Sequence, residues 1–97
     1  MHFGERIKEL RESQGLLQRQ LAAKLEIDTP MFSKIERGER KAKRDQVLKI
    51  AGLLNANQQE LLALWLADQI KELVTDEEQA LQALKIAQQD ITHANTK

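Results

Sequence analysis

Hydrophobic residues recur with the spacing of α-helices along nearly the whole chain. Good helix formers are common between them, and no stretch alternates polar with apolar residues as a half-buried strand would. The pattern therefore predicts an all-α protein without strands. The predicted helices cover about residues 3–14, 18–25, 28–37, 44–54 and 58–74, and a sixth runs from Thr75 through Ile91.

Residues at the predicted helix ends support these boundaries. Gly15 and Gly38 follow the first and third helices, where glycine commonly ends a helix. Asp28 can cap the third helix, whose first turn tolerates Pro30. Two capping-box patterns precede the last two helices: Asn57 with Glu60, and Thr75 with Glu78. We expect the tail from residue 92 onward to fray.

The length of 97 residues, 41% of them apolar, suits one domain over residues 1–97 with a single modest core. There is no cysteine, which excludes disulfides, thiolate nucleophiles and cysteine-ligated metals. The longest strongly apolar run, residues 61–66, is far shorter than the roughly 20 residues that span a bilayer. We therefore expect a soluble, cytoplasmic protein with no membrane association.

The formal net charge of zero conceals an asymmetry between the halves of the chain. Residues 1–49 hold twelve Lys and Arg against eight Asp and Glu, whereas residues 50–97 hold three against seven. Within the basic half, residues 37–44 contain five positive side chains and one negative one. Such a cluster suits phosphate groups, although a charge run is often only a solvated surface.

Two short helices joined by a tight turn, residues 18–25 and 28–37, have the pattern of a helix-turn-helix, whose second helix enters the DNA major groove. Helical geometry places Phe32 and Ile35 on the inner side of that second helix. Its outer arc is then polar and basic, with side chains suited to base edges. This arc holds Pro30, Ser33, Lys34 and Arg37. Ser33 and Lys34 would hydrogen-bond base edges, and Met31 and Pro30 would give apolar contact to a thymine methyl group.

Residues 15–40 resemble the helix-turn-helix of phage Cro and repressor proteins, a family that includes restriction-modification controllers and several antitoxins. The resemblance extends over about residues 5–64. The residues that carry it are Gln18, Leu21, Ala22, Leu25, Ile27, Ser33, Ile35, Glu36 and Gly38. It implies a five-helix repressor-like DNA-binding domain with an additional C-terminal helix. Residues 1–56 would form the DNA-binding core, and residues 57–94 the C-terminal helices for dimerisation.

The resemblance also implies roles for individual residues. Four would face the bases: Thr29, Pro30, Ser33 and Lys34. Gln18 would contact a phosphate at the start of the second helix, and an ion pair between Arg11 and Glu36 would fix the third helix against the first. Four further basic residues would lie near the DNA backbone: Arg37, Arg40, Lys41 and Lys43.

Two positions depart from the family pattern. Leu17 stands where a Ser or Thr usually caps the second helix, so a cap worth about 1 kcal/mol is missing. Glu26 replaces the usual turn glycine, and a left-handed conformation there would cost roughly 1–2 kcal/mol. Both changes leave the fold in place but affect how the protein would dock on DNA.

The fifth predicted helix is apolar over more of its circumference than one small core can cover. If Leu61 and Leu64 pack inward, Trp65, Leu66 and Ile70 remain for a partner. This pattern predicts a symmetric homodimer that reads a pseudo-palindromic operator on double-stranded DNA. Alternatively, the sixth helix folds back and covers the stripe through Leu81, Leu84 and Ile91, which leaves a monomer.

The sequence offers no constellation for catalysis. His2 and His93 have no plausible partner nearby in sequence, and there is no phosphate-binding glycine loop and no metal-ligand spacing. We therefore expect a transcriptional regulator that is not an enzyme, with no cofactor and no metal. The main alternative is an antitoxin-type module that also binds a protein partner, while RNA binding is disfavoured by the scarcity of aromatic residues.

Overall fold

The computed structural model describes residues 2–95, in which all regular secondary structure is helical. The all-α prediction is therefore confirmed for this part of the chain. Six helices follow one another: α1 Phe3–Ser13, α2 Gln18–Leu25, α3 Thr29–Glu36, α4 Arg44–Leu53, α5 Gln58–Val74 and α6 Ala80–Asn95.

A single hydrophobic core lies between α1 and the first half of α5. Its members come from every one of the first five helices, because each places an apolar stripe on one side. The largest fully buried side chains are Phe32, Ile7, Ile50, Leu54, Leu61 and Val47. Each contributes about 1.5–3 kcal/mol by leaving water, so this core accounts for most of the drive to fold.

Most predicted helix ends are present. Asp28 Oδ1 accepts a hydrogen bond of 2.7 Å from the backbone N–H of Met31, and Gly15 and Gly38 end α1 and α3 with φ of 68° and 76°. The capping box at α5 is only half formed. Asn57 Oδ1 accepts from the N–H of Glu60, but the Glu60 carboxylate accepts from Arg6 of α1 instead, at 2.9 Å.

The turn between α2 and α3 keeps its geometry despite the two sequence departures. Glu26 adopts the left-handed conformation, with φ 60° and ψ 39°, and so bears the cost that a glycine would avoid. The N–H of Ile27 donates to the carbonyl of Ala22, which closes the end of α2. At the start of α2, Gln20 Oε1 accepts from the N–H of Leu17 at 2.7 Å, but no side chain at Leu17 caps the helix.

The beginning of α1 is fixed from two sides. Asp68 of α5 accepts hydrogen bonds from the Phe3 N–H at 3.0 Å and from His2 Nδ1 at 2.8 Å. On the other side, Gly4 lies so close to α3 that a Cβ there would be 2.3 Å from the Glu36 carbonyl oxygen and 2.7 Å from that of Ile35. Only glycine allows this approach of α1 to the end of α3.

The predicted start of the sixth helix is wrong. Thr75 ends α5, where its hydroxyl donates to the Lys71 carbonyl at 2.6 Å, and α6 begins only at Ala80. Between them the chain turns, with Asp76 at φ 69°. Residues 92–95, where fraying is expected, are helical in the structure, because α6 continues through Asn95; residues 96 and 97 lie outside the described chain.

Helix α6 contributes no buried side chain. Leu81 is 80% exposed, and Ile91 is exposed as well. In this structure α6 therefore does not cover the apolar stripe of α5 as the monomeric alternative required, and Leu73 near the end of α5 is itself 80% exposed.

We expect Gly4→Ala to destabilise the protein, although alanine is the better helix former. The added Cβ would overlap the Glu36 carbonyl and force α1 away from α3. Overpacking of this kind costs about 1–3 kcal/mol, which urea denaturation would measure as a lower free energy of unfolding.

Gly52→Ala is the control. Around Gly52 of α4, no described atom beyond its chain neighbours and the adjoining helix backbone lies within 4 Å of an added Cβ. Helix propensity alone therefore predicts a gain of up to about 1 kcal/mol. If Gly4→Ala raised the free energy of unfolding as much as Gly52→Ala does, the close approach of α1 to α3 would be contradicted.

Candidate nucleic-acid interface

The outer face of α3 is exposed where the sequence predicts base contacts. Phe32 and Ile35 are buried in the core, so the opposite side of the helix faces solvent. On it, Pro30 and Lys34 are exposed, and three residues are half-buried: Thr29, Met31 and Ser33. The structure thus brings the five candidate residues onto one accessible surface.

A buried ion pair joins α1 to the end of α3. Arg11 Nε donates to Glu36 Oε2 at 2.7 Å, and Arg11 Nη2 donates to Glu36 Oε1 at 3.1 Å. Arg11 Nη1 also donates to the carbonyl of Leu16, just before α2. Hydrogen bonding to Glu36 raises the pKa of Arg11, and burial only partly opposes this. The Arg11 side chain thus joins α1 both to the segment before α2 and to the end of α3.

Gln18 belongs to the same network. Its Nε2 donates to Glu36 Oε1 at 2.9 Å, which links the first residue of α2 to the last residue of α3. Both Glu36 oxygens thus accept hydrogen bonds, as a buried carboxylate requires. A phosphate contact by Gln18 stays a prediction, and it would have to use the second N–H of the amide.

The basic loop after α3 is attached to α5 through Trp65. Ala42 is buried in the middle of the loop, and its carbonyl accepts a hydrogen bond of 2.7 Å from Trp65 Nε1. The Arg44 guanidinium lies 5.3 Å from the centre of the Trp65 ring, within the range of a cation–π contact. Three exposed basic residues of this loop therefore extend from an anchored backbone: Arg40, Lys41 and Lys43.

These contacts give Trp65 a role within the chain that the sequence did not predict. Its indole is half-buried, and its N–H is bonded to the loop, while a contact of its remaining exposed face with a partner stays a prediction. Helical spacing placed the ring outside the core, but it could not show that the loop folds over it. Leu66 and Ile70 are exposed, as expected of residues available to a second surface.

Sequence reasoning missed three contributions to this surface: Gly4, the hydrogen bond between Gln18 and Glu36, and the burial of Ala42. One signal was available. Ala42 is an apolar residue within a run of charged ones, and a tryptophan needs an acceptor for its N–H. The contact of Gly4 with α3 has no comparable local signature.

The helix-turn-helix domain family matches residues 2–65 of the chain. The protein belongs to this family. The match extends from the start of α1 to Trp65 within α5, and so includes the buried ion pair, α3 and the basic loop. Membership supports DNA binding, because the second helix of such a motif is the one that enters the major groove. No curated protein and no solved structure matched the chain.

No helix within residues 2–95 combines the length and the apolar character needed to cross a bilayer. In the same residues, no three potential metal ligands among His, Asp and Glu lie together.

We expect strong coupling between Arg11 and Glu36 in a double-mutant cycle on the free energy of unfolding. Arg11→Met or Glu36→Gln alone removes one partner of the buried pair, which typically costs about 3–5 kcal/mol. The double variant should lose clearly less than the sum, since no unpaired charge remains. The free energy of unfolding would be measured by urea denaturation. Sucrose in every sample would stabilise the folded state, so that the single variants are folded before urea is added. Additive losses, within about 0.5 kcal/mol, would instead describe two independent side chains.

Proposed function

We propose that this protein is a sequence-specific regulator of transcription of the Cro and repressor type, which binds double-stranded DNA through α3. The main support is the division of α3 into two sides. Its inner side is fixed by the core and by the Arg11–Glu36 pair, while its polar outer side stays accessible. A rigid helix that presents short polar and basic side chains suits the major groove.

The accessible side chains suit two kinds of contact with DNA. Ser33 and Lys34 would hydrogen-bond base edges, and Pro30 and Met31 would touch a thymine methyl group. Phosphates would be contacted by Gln18, Arg40, Lys41 and Lys43, which lie at the start of α2 and in the anchored loop. Base contacts would set the preferred sequence, and phosphate contacts would set the position of the protein on the duplex.

We further propose that the protein acts as a homodimer on a pseudo-palindromic operator. Leu66, Ile70 and Leu73 follow one another at spacings of four and three residues on α5, and all three are exposed. Apolar residues in such a row favour burial against another surface. A twofold axis beside α5 would place two copies of α3 on successive turns of the major groove, about 34 Å apart.

In this proposal the protein is a cytoplasmic binding protein without catalytic activity or cofactor. The contacts of His2 are consistent with a structural role. Its ring is bonded to the same Asp68 carboxylate that accepts from the first N–H of α1.

An antitoxin-type module is the second candidate, and the exposure of α6 favours it. This helix has exposed apolar side chains, among them Leu81 and Ile86, and a foreign protein could cover them as well as a second copy could. The two candidates differ in what the isolated chain does, because an antitoxin of this kind would bury its apolar faces only in a complex of two different proteins.

We expect the protein to shift a DNA fragment from upstream of its own gene in a mobility assay. Binding should weaken steeply as salt increases, since each neutralised phosphate releases counterions. Lys34→Ala should change the preference at one base pair per half-site, whereas Arg40→Ala should weaken specific and random DNA by similar factors. If Lys34→Ala also weakened all sequences equally, Lys34 would be a phosphate contact. A binding constant independent of salt would contradict the DNA role.

We expect a dimer in sedimentation equilibrium at micromolar concentration, and Leu66→Ala with Ile70→Ala should raise its dissociation constant at least ten-fold. The two substitutions together remove several buried carbon groups at about 0.8 kcal/mol each, and a loss of about 1.4 kcal/mol corresponds to ten-fold. Leu48→Ala is the matched control, because Leu48 on α4 is 37% exposed and Leu66 is 42% exposed. A monomeric wild type that forms an equimolar complex with a different protein from its host would favour the antitoxin candidate.

A further inference from the structure

The end of α3 has a rigid backbone. Gly38 is in the left-handed conformation, the Glu39 N–H donates to the Lys34 carbonyl at 2.9 Å, and the Gly38 N–H donates to that of Ile35 at 3.1 Å. These two hydrogen bonds form a Schellman motif, which fixes the direction of the chain after the helix. The motif therefore determines where Glu39 lies relative to Arg37.

The Arg37 side chain is held at three points within this motif. Its Nε donates to Glu39 Oε2 at 2.6 Å, and its Nη2 donates to Glu39 Oε1 at 3.3 Å. Its Nη1 donates to Ser33 Oγ at 2.7 Å, one turn back along α3. The contact with Ser33 places the guanidinium on the outer arc of the helix, because helical side chains lie over the preceding turn.

The remaining donors of Arg37 match one DNA base. A guanidinium has five N–H groups, and three are used by Glu39 and Ser33, which leaves one on Nη1 and one on Nη2. In the major groove only guanine presents two acceptors, O6 and N7, to a pair of donors from one side chain. Arg37 thus keeps one free N–H on each of its terminal nitrogens, the two atoms that donate end-on to that edge.

The same ion pair makes Arg37 a poor phosphate contact. Hydrogen bonding within the pair raises the pKa of Arg37 and lowers the pKa of Glu39, so both side chains are charged at neutral pH. The Glu39 carboxylate offsets the positive charge and repels a phosphate. Within residues 2–95, Arg40 and Lys41 are exposed and have no such ion pair, so they suit phosphates better.

We propose that Arg37 reads a guanine in the major groove and that Glu39 is the positioning residue that orients its guanidinium. This inference rests on the DNA-binding function proposed above and revises the sequence-based expectation that Arg37 lies near the DNA backbone. Glu39 acts through Arg37 and carries no base contact of its own. Its negative charge lowers overall affinity while it increases the preference for guanine.

The test is a selection of binding sites from a randomised DNA duplex, followed by affinity measurements with each base at every selected position. The wild type should select guanine at one position per half-site. Arg37→Ala and Arg37→Lys should both reduce this preference by roughly ten-fold or more. A lysine keeps the positive charge but lacks the paired, planar N–H donors of a guanidinium. Glu39→Gln should reduce the preference several-fold and bind random duplex at least as tightly as the wild type. Glu78→Gln, which removes one exposed negative charge between α5 and α6, is the control and should change neither quantity.

The outcomes separate this inference from the proposed function. If Arg37→Ala weakened all duplexes equally and selected the same sites, Arg37 would be a phosphate contact and the inference would be overturned. If Glu39→Gln kept the full guanine preference, Glu39 would have no positioning role. A wild type that bound no duplex of any sequence would instead refute the DNA-binding function itself.

Discussion

The buried ion pair between Arg11 and Glu36 is the interaction on which the rest of this structure depends. It ties α1 to the end of α3, and Gln18 extends it to the start of α2. Taking two charges out of water is costly, so such a pair persists only where further hydrogen bonds satisfy it. Here the Leu16 carbonyl and the Gln18 amide provide them. The pair therefore specifies one orientation of α3. Apolar packing alone would leave this helix freer to slide.

In α3 and in the basic loop, the side that packs against the rest of the fold is opposite the side that would contact DNA. The inner side of α3 meets α1 so closely that Gly4 cannot carry a side chain, while the outer side holds no core residue. The basic loop is arranged in the same way. Its backbone is bonded to Trp65 through Ala42, and its charged side chains remain exposed. A surface supported from behind in this manner can bind DNA without first ordering its backbone, which lowers the entropic cost of association.

Helix α5 has one side that packs within the fold and another that is exposed. Leu61 is buried in the core, and Trp65 fixes the loop, whereas Leu66 and Leu73 lie on the exposed side. Helix α6 buries no side chain, and six of the eight exposed large hydrophobic side chains in residues 2–95 lie on α5 and α6. Their exposure is the physical reason to expect a second surface there, whether from another copy or from a different protein.

Local rules in the sequence determined the helices, most of their ends and the outward arc of α3. Helical periodicity and single residues such as Asp28 and Gly38 act within one or two turns, so these features could be predicted without the fold. Only tertiary structure decided the rest. The close approach at Gly4 and the contact of Trp65 with the loop depend on how distant segments pack. Periodicity describes one helix at a time, and it does not show which neighbour a given face will meet.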